Sequence, residues 1–186
     1  PTYAVRQLHM QLSDAFIAST IGGIVLMLGC PVAGDLSDRV GRRPVLLISS
    51  ALIGITIYGF FYWLNENPSL LHLSIVQAIL GLLLAAFTGP APAVLAEQFP
   101  AAVRSTGLSL AYNFAVTIFG GFAAFIVTWL IARTGSNLAP AYYVMLAALV
   151  SFVTVWFMDD MAGRAVDSPR DTQTATRAEL DRRPHM

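Results

Sequence analysis

Five stretches of this 186-residue chain, at about 15–33, 45–64, 71–96, 107–131 and 141–158, contain no Asp, Glu, Lys or Arg. Each is near the twenty apolar residues that a helix needs to cross a hydrocarbon core of about 30 Å. A charged side chain at the centre of such a helix costs about 2.5–3.5 kcal/mol on insertion scales, which accounts for spans this clean. The only ionisable nitrogen within them is that of His72, near one end. Buried helices of a water-soluble domain would be shorter and would carry a polar stripe. Only 12% of residues are charged and 56% are hydrophobic, where a soluble domain carries about a quarter charged residues. The chain is therefore expected to fold as an all-α, polytopic membrane bundle of five spans, surrounded by the lipid bilayer.

The charges excluded from the spans collect at particular connections. All eleven basic residues are arginines. Arg39, Arg42, Arg43 and Arg104 lie in alternate connections on one side, joined by five more after Met158, whereas the other side carries Arg6 and Arg133. The positive-inside rule places 34–44, 97–106 and the tail in the cytoplasm of a multi-pass cell-membrane protein. An odd number of spans then leaves residues 1–13 as an outer connection. Residues 14–158 form the membrane unit, and the polar, mixed-charge tail 159–186 is expected to be disordered. Tyr62, Trp63, Trp129 and Trp156 fall near predicted span ends, where interfacial aromatics concentrate. Cys30 is alone, which excludes an internal disulfide and reads as a buried, inert thiol.

Zero net charge gives no footprint for nucleic acid. No His/Asp/Glu or Cys/His constellation lies at a helix end, so neither an enzyme site, a metal nor a cofactor is expected.

The stretch "GDLSDRVGRRP", residues 34–44, puts five charges and two glycines at one turn. Gly34 and Gly41 are expected to supply backbone freedom there. The order Gly34, Leu36, Ser37, Asp38, Arg39, Gly41, Arg42, Arg43 resembles the signature loop of the major facilitator superfamily. The stretch "AEQFPAAVRSTG" adds Glu97 and Arg104, six residues intervening, at the other cytoplasmic connection. This resembles the Glu-x6-Arg pattern of the same superfamily. Further stretches, "LSDRVGRRP", "RSTGLSLAYNFAVTIFGG" and "APAYYVM", resemble its metabolite–proton symporter branch, which includes citrate, α-ketoglutarate and proline/betaine permeases.

The resemblance implies the second half of a twelve-span transporter, spans eight to twelve, whose partner is a missing N-terminal half. It implies secondary transport of a small metabolite, an organic acid with protons, by alternating access. The alternatives are a proline/betaine-type osmolyte symporter and a truncated, non-transporting membrane protein; the five spans alone are not expected to fold unaided.

Carboxylates and guanidiniums at a membrane edge form bidentate, partly desolvated pairs. The signature residues, with Glu97 and Arg104, are thus expected to latch the gate, and Asp38 has a second option at a helix opening near Ser105 and Thr106. Substrate contacts are expected from Tyr112, Asn113 and Thr117, at most one of the adjacent pair Tyr112 and Asn113 pointing squarely into a cavity. Gln77 and Thr88 are secondary candidates. "TGPAPAV", residues 88–94, removes two backbone donors and is expected to break the third span. Gly120 and Gly121 suit either a bend or a close helix approach. No carboxylate lies deep in the spans, so a proton-coupling group would come from the missing half.

Overall fold

A computed structural model describes residues 2–99 and 103–158. Among the described residues the chain is helical and contains no strand. A short helix α1 (Thr2–Arg6) precedes α2 (Leu12–Val40), α3 (Arg42–Glu66), α4 (Leu70–Thr88), α5 (Ala91–Glu97), α6 (Arg104–Ala115), α7 (Ala123–Thr134) and α8 (Ala139–Phe157). A π-helical turn, Val116–Gly121, joins α6 to α7. Five segments are long and apolar enough to cross a membrane: α2, α3, α4 with α5, α6 with α7, and α8. A helix bonds most of its backbone groups within itself, which is what hydrocarbon requires. Hydroxyls inside the spans are satisfied the same way: Ser19, Thr20, Thr56, Thr88, Thr128 and Thr154 each donate to the carbonyl four residues back.

The helices outrun the charge-free stretches. At about 1.5 Å per residue the 29 residues of α2 extend about 43 Å, well past a 30 Å core. The surplus carries Asp35, Asp38 and Arg39, so the expected signature loop is helical through Val40 and reduces to one non-helical residue, Gly41. Gly41 has φ +109°, a region glycine enters freely and a residue with a Cβ reaches only under strain. Gly34, also expected to supply turn geometry, lies inside α2 with helical backbone. The expected outer connection likewise contains a helix, α1.

Packing is uneven. α2 lies most extensively along α4, α3 along α8, and α4 also touches α3. The α2–α4 seam is built from small residues. A Cβ on Gly81 would stand 2.6 Å from the Gly22 carbonyl oxygen, and one on Gly29 would stand 2.7 Å from the Ala85 Cβ. Two apolar clusters pin opposite ends of the bundle: Ala4, Ala15, Ala18, Leu64 and Leu73 at one, Leu46, Val94 and Val155 at the other. The fourth span, α6 through α7, buries no residue. Gly120 and Gly121 sit in its π turn, and among the described residues a Cβ on Gly121 would meet nothing within 4 Å.

At the end opposite Gly41, one phenol joins three segments. The Tyr3 hydroxyl donates to the Asn137 carbonyl (2.8 Å) and accepts from Asn65 Nδ2 (2.8 Å). Its ring meets Phe61 edge-on at 5.1 Å. The Ser69 hydroxyl caps α4 by accepting from the His72 N–H (3.2 Å) and lies 2.6 Å from His72 Nδ1, which keeps that imidazole at the helix mouth.

Candidate functional site

Asp38 of the signature stretch and Glu97 converge on Arg42, the first residue of α3. Its Nε and Nη2 donate to Asp38 Oδ1 at 3.1 and 3.0 Å, and its Nη1 donates to Glu97 Oε1. One guanidinium at the start of α3 thus ties the end of α2 to the end of α5, whose Glu97 lies 55 residues after Arg42. A planar fork of five N–H donors permits this double engagement, where an ammonium is a point charge. The Arg42 side chain is 23% exposed and that of Glu97 31%, so the pair is only partly screened by water. Arg39 pairs with Asp35 at 2.9 Å, but at 75% and 65% exposure that contact lies on a solvated face.

The neighbouring arginines do different work. Arg43 Nη2 donates to the Trp156 carbonyl, one of the acceptors left open at the end of α8. Arg104 Nε donates to the Phe99 carbonyl at 3.3 Å and holds the start of α6 against the turn after α5. Glu97 and Arg104, joined by their sequence pattern, thus have separate partners. Asp38 is engaged by Arg42, four residues on and across Gly41, not by the start of α6 near Ser105 and Thr106. Residues 100–102, inside the 97–106 connection, and the tail 159–186 lie outside the described residues.

The break in the third span lies at the other end of α5 from this node. Pro90 and Pro92 have no N–H, so the carbonyls four residues before them, of Ala86 and Thr88, lose their helical partners. The chain turns at Gly89 and Pro90 between α4 and α5. A Cβ on Gly89 would stand 2.8 Å from the Cys30 carbonyl and 3.1 Å from the Gly34 nitrogen, so the break is seated on α2. Cys30 is partly exposed there, and its Sγ lies 3.4 Å from Thr88 Oγ1.

Beside the break, α5 and α6 diverge to leave a cleft of about 420 Å³. Thr88, Ser105, Ser109, Tyr112 and Asn113 give it polar groups; Ala91, Pro92, Leu95 and Leu108 give it an apolar wall. Tyr112 and Asn113 both line it. Thr117 belongs to the π turn and is not among the lining residues. Gln77 lines a different, smaller cavity of about 140 Å³ beneath α1, with Tyr3 and Ser19. Ser105 and Ser109 were legible as lining residues only from their i, i+4, i+8 spacing with Asn113, a helical stripe that short polar residues do not advertise.

The fold and the charged end define a multi-pass, all-helical membrane protein with an ion-paired corner. The chain belongs to the Major Facilitator Superfamily, whose family model matches residues 1–184. It is 34% identical over 149 residues to a citrate-proton symporter of Salmonella typhi, covering 80% of this chain and 34% of that protein. It is 32% identical over 170 residues to a citrate-proton symporter of Klebsiella pneumoniae, covering 91% and 38%. It is 31% identical over 163 residues to an ectoine/proline transporter of Corynebacterium glutamicum, covering 86% and 32%. The chain thus spans about a third of the length of the curated relatives it matches. No solved structure matches it.

Proposed function

We propose that these residues form the C-terminal half of a secondary carrier, not an enzyme, that moves a small organic acid with protons across the cell membrane by alternating access. The observation that carries the reading is the Arg42 node: one partly buried guanidinium, shared by two carboxylates, holds α5 at a break in a cavity-lining span. α5 is seven residues long and is separated from α4 by Gly89 and Pro90. Apart from the Leu46–Val94–Val155 cluster, its described hold on α2 and α3 is the Glu97–Arg42 pair. Such a contact is a latch. It favours the state in which the cytoplasmic end is closed, and its loss shifts the population toward the open state without touching substrate.

The cleft walled by Thr88, Tyr112 and Asn113 is this half's share of the substrate path, the N-terminal half supplying the opposite wall and the proton-coupling group. Thr117, at the π turn, contributes to the bend of that wall. The cytoplasmic assignment of the Arg42 end rests on the arginine asymmetry. The similarity to an ectoine/proline transporter supports a second reading, an osmolyte symporter of zwitterions, because the cleft is lined by neutral polar groups.

Uptake of radiolabelled citrate and proline into proteoliposomes bearing the natural protein tests both readings. Uptake of citrate driven by an inward proton gradient and abolished by an uncoupler is the expected result. Uptake of proline instead favours the second reading, and no gradient-driven uptake of either refutes the proposal.

A further inference from the structure

Asn113 makes a directional demand on whatever enters the cleft. Its Nδ2 donates to the Ser109 carbonyl at 2.8 Å and lies 3.3 Å from Ser109 Oγ. A backbone carbonyl only accepts, so the amide cannot be turned the other way; the nitrogen faces the helix and the oxygen Oδ1 is left without a donor among the described residues. Thr88 is committed likewise: its hydroxyl donates to the Leu84 carbonyl at 2.7 Å, so only its lone pairs remain toward the cleft and Cys30. Thr88 at the end of α4 and Asn113 on α6 both line the cleft, and with their donors committed to the backbone the capacity each has left for a ligand is chiefly that of an acceptor. An acceptor dipole disfavours an ionised carboxylate and favours an O–H or N–H.

We infer that Asn113 is a specificity-determining residue that selects, from compounds of one size and charge, those bearing a hydrogen-bond donor: a hydroxyl on an organic acid or an N–H on a zwitterion. This rests on the reading of the cleft as part of the substrate path. A ligand lacking the donor leaves Oδ1 desolvated and unpaired when the cleft closes, and a site built around such a group discriminates against it.

The test compares uptake within two matched pairs by the natural protein in proteoliposomes. Citrate is set against tricarballylate, the same tricarboxylate without the hydroxyl, and proline against glycine betaine, which has no N–H. Asn113→Ala removes the acceptor. Asn113→Leu removes it too with a side chain of similar size that favours the helix, and so guards against a folding defect.

The unaltered protein is expected to prefer the donor-bearing member of the pair it carries by about tenfold to a hundredfold. Both variants bring that ratio near one, through a KM raised more for the donor-bearing compound than for its donor-free partner. A ratio that persists in the variants, or an equal loss for both members, overturns the inference while leaving transport standing. So does an unaltered protein that carries a pair without preference. Uptake of none of the four overturns the transport reading and this inference together.

Discussion

Gly22 and Gly81 touch backbone to backbone: the Gly22 carbonyl oxygen occupies the place, 2.6 Å away, where a side chain on Gly81 would begin. The obstacle is main chain rather than the far end of a flexible side chain, so α2 and α4 must separate to admit even a methyl group. Lipid tails are as apolar as leucine, so the association of these helices depends on close packing rather than on escape from water. Gly81→Ala is therefore expected to destabilise the bundle by about 1–3 kcal/mol, the usual cost of overpacking. Gly23→Ala, where a Cβ would meet nothing within 4 Å, is the matched control and is expected to change stability by less than about 0.5 kcal/mol. Thermal unfolding in detergent, followed by near-ultraviolet circular dichroism, checks both.

The Arg42–Glu97 pair predicts coupling, not merely loss. Arg42→Gln leaves Glu97 and Asp38 close together with no cation between them, whereas Glu97→Gln leaves Arg42 still engaged by Asp38. The first change is expected to be the more disruptive. A double-mutant cycle on stability is expected to return about 1–2 kcal/mol of interaction, within the range for contacting charged groups. Arg42→Lys is expected to behave more like Arg42→Gln than like the natural residue, because one ammonium does not reproduce a fork that reaches two carboxylates. Denaturation midpoints for the four proteins of the cycle, plus the lysine variant, test this; a coupling near zero removes the latch.

Arg43 sits beside Arg42 in sequence yet reaches a different helix. Its bond to the Trp156 carbonyl closes the end of α8, where the last carbonyls lack helical partners. Arg43→Met keeps much of the aliphatic stem but withdraws the donor. The expected effect is fraying of the last turn of α8 and a stability loss of about 1 kcal/mol. Amide hydrogen exchange near Trp156 should quicken in the variant, with exchange in α2 and α4 unaffected. Equal exchange at Trp156 in the two proteins would show that the bond does not hold that end.

Much of this was legible in the sequence, for reasons that differ by residue. The spans were readable because hydrocarbon penalises charge so heavily that its absence marks the membrane. The break at Gly89 and Pro90 was readable because proline lacks a donor whatever surrounds it. Partners were less legible. Glu97 was paired by pattern with Arg104, but side-chain contacts are set by which helix ends meet, and α5 ends against the start of α3. Gly22, Gly29, Gly81, Ala85 and Gly89 recur at spacings of seven and four, yet small residues are common in any apolar helix, and only the paired backbones reveal which of them face each other. Tyr3 was folded into an outer connection because its two partners, Asn65 and Asn137, lie far along the chain and carry no pattern.

That tyrosine supplies a pH prediction. Burial pushes the Tyr3 phenol above its ordinary value of 10.0, and the hydrogen bond from Asn65 only partly opposes the shift. A raised pKa in the folded state means that the folded protein holds this proton more tightly than the unfolded chain does. The stabilisation is therefore fully present below pH 10, and it is lost as pH rises through the folded pKa, because ionisation removes the donor to the Asn137 carbonyl and leaves a buried phenolate. Tyr3→Phe keeps the ring against Phe61 and deletes both hydrogen bonds, so it is expected to cost about 1–2 kcal/mol at neutral pH. The variant should then lose the alkaline limb that belongs to this group. Stability profiles of the two proteins are thus expected to be separated at pH 7 and to converge above pH 10. Parallel profiles throughout would mean that Tyr3 holds the outer end through its ring alone.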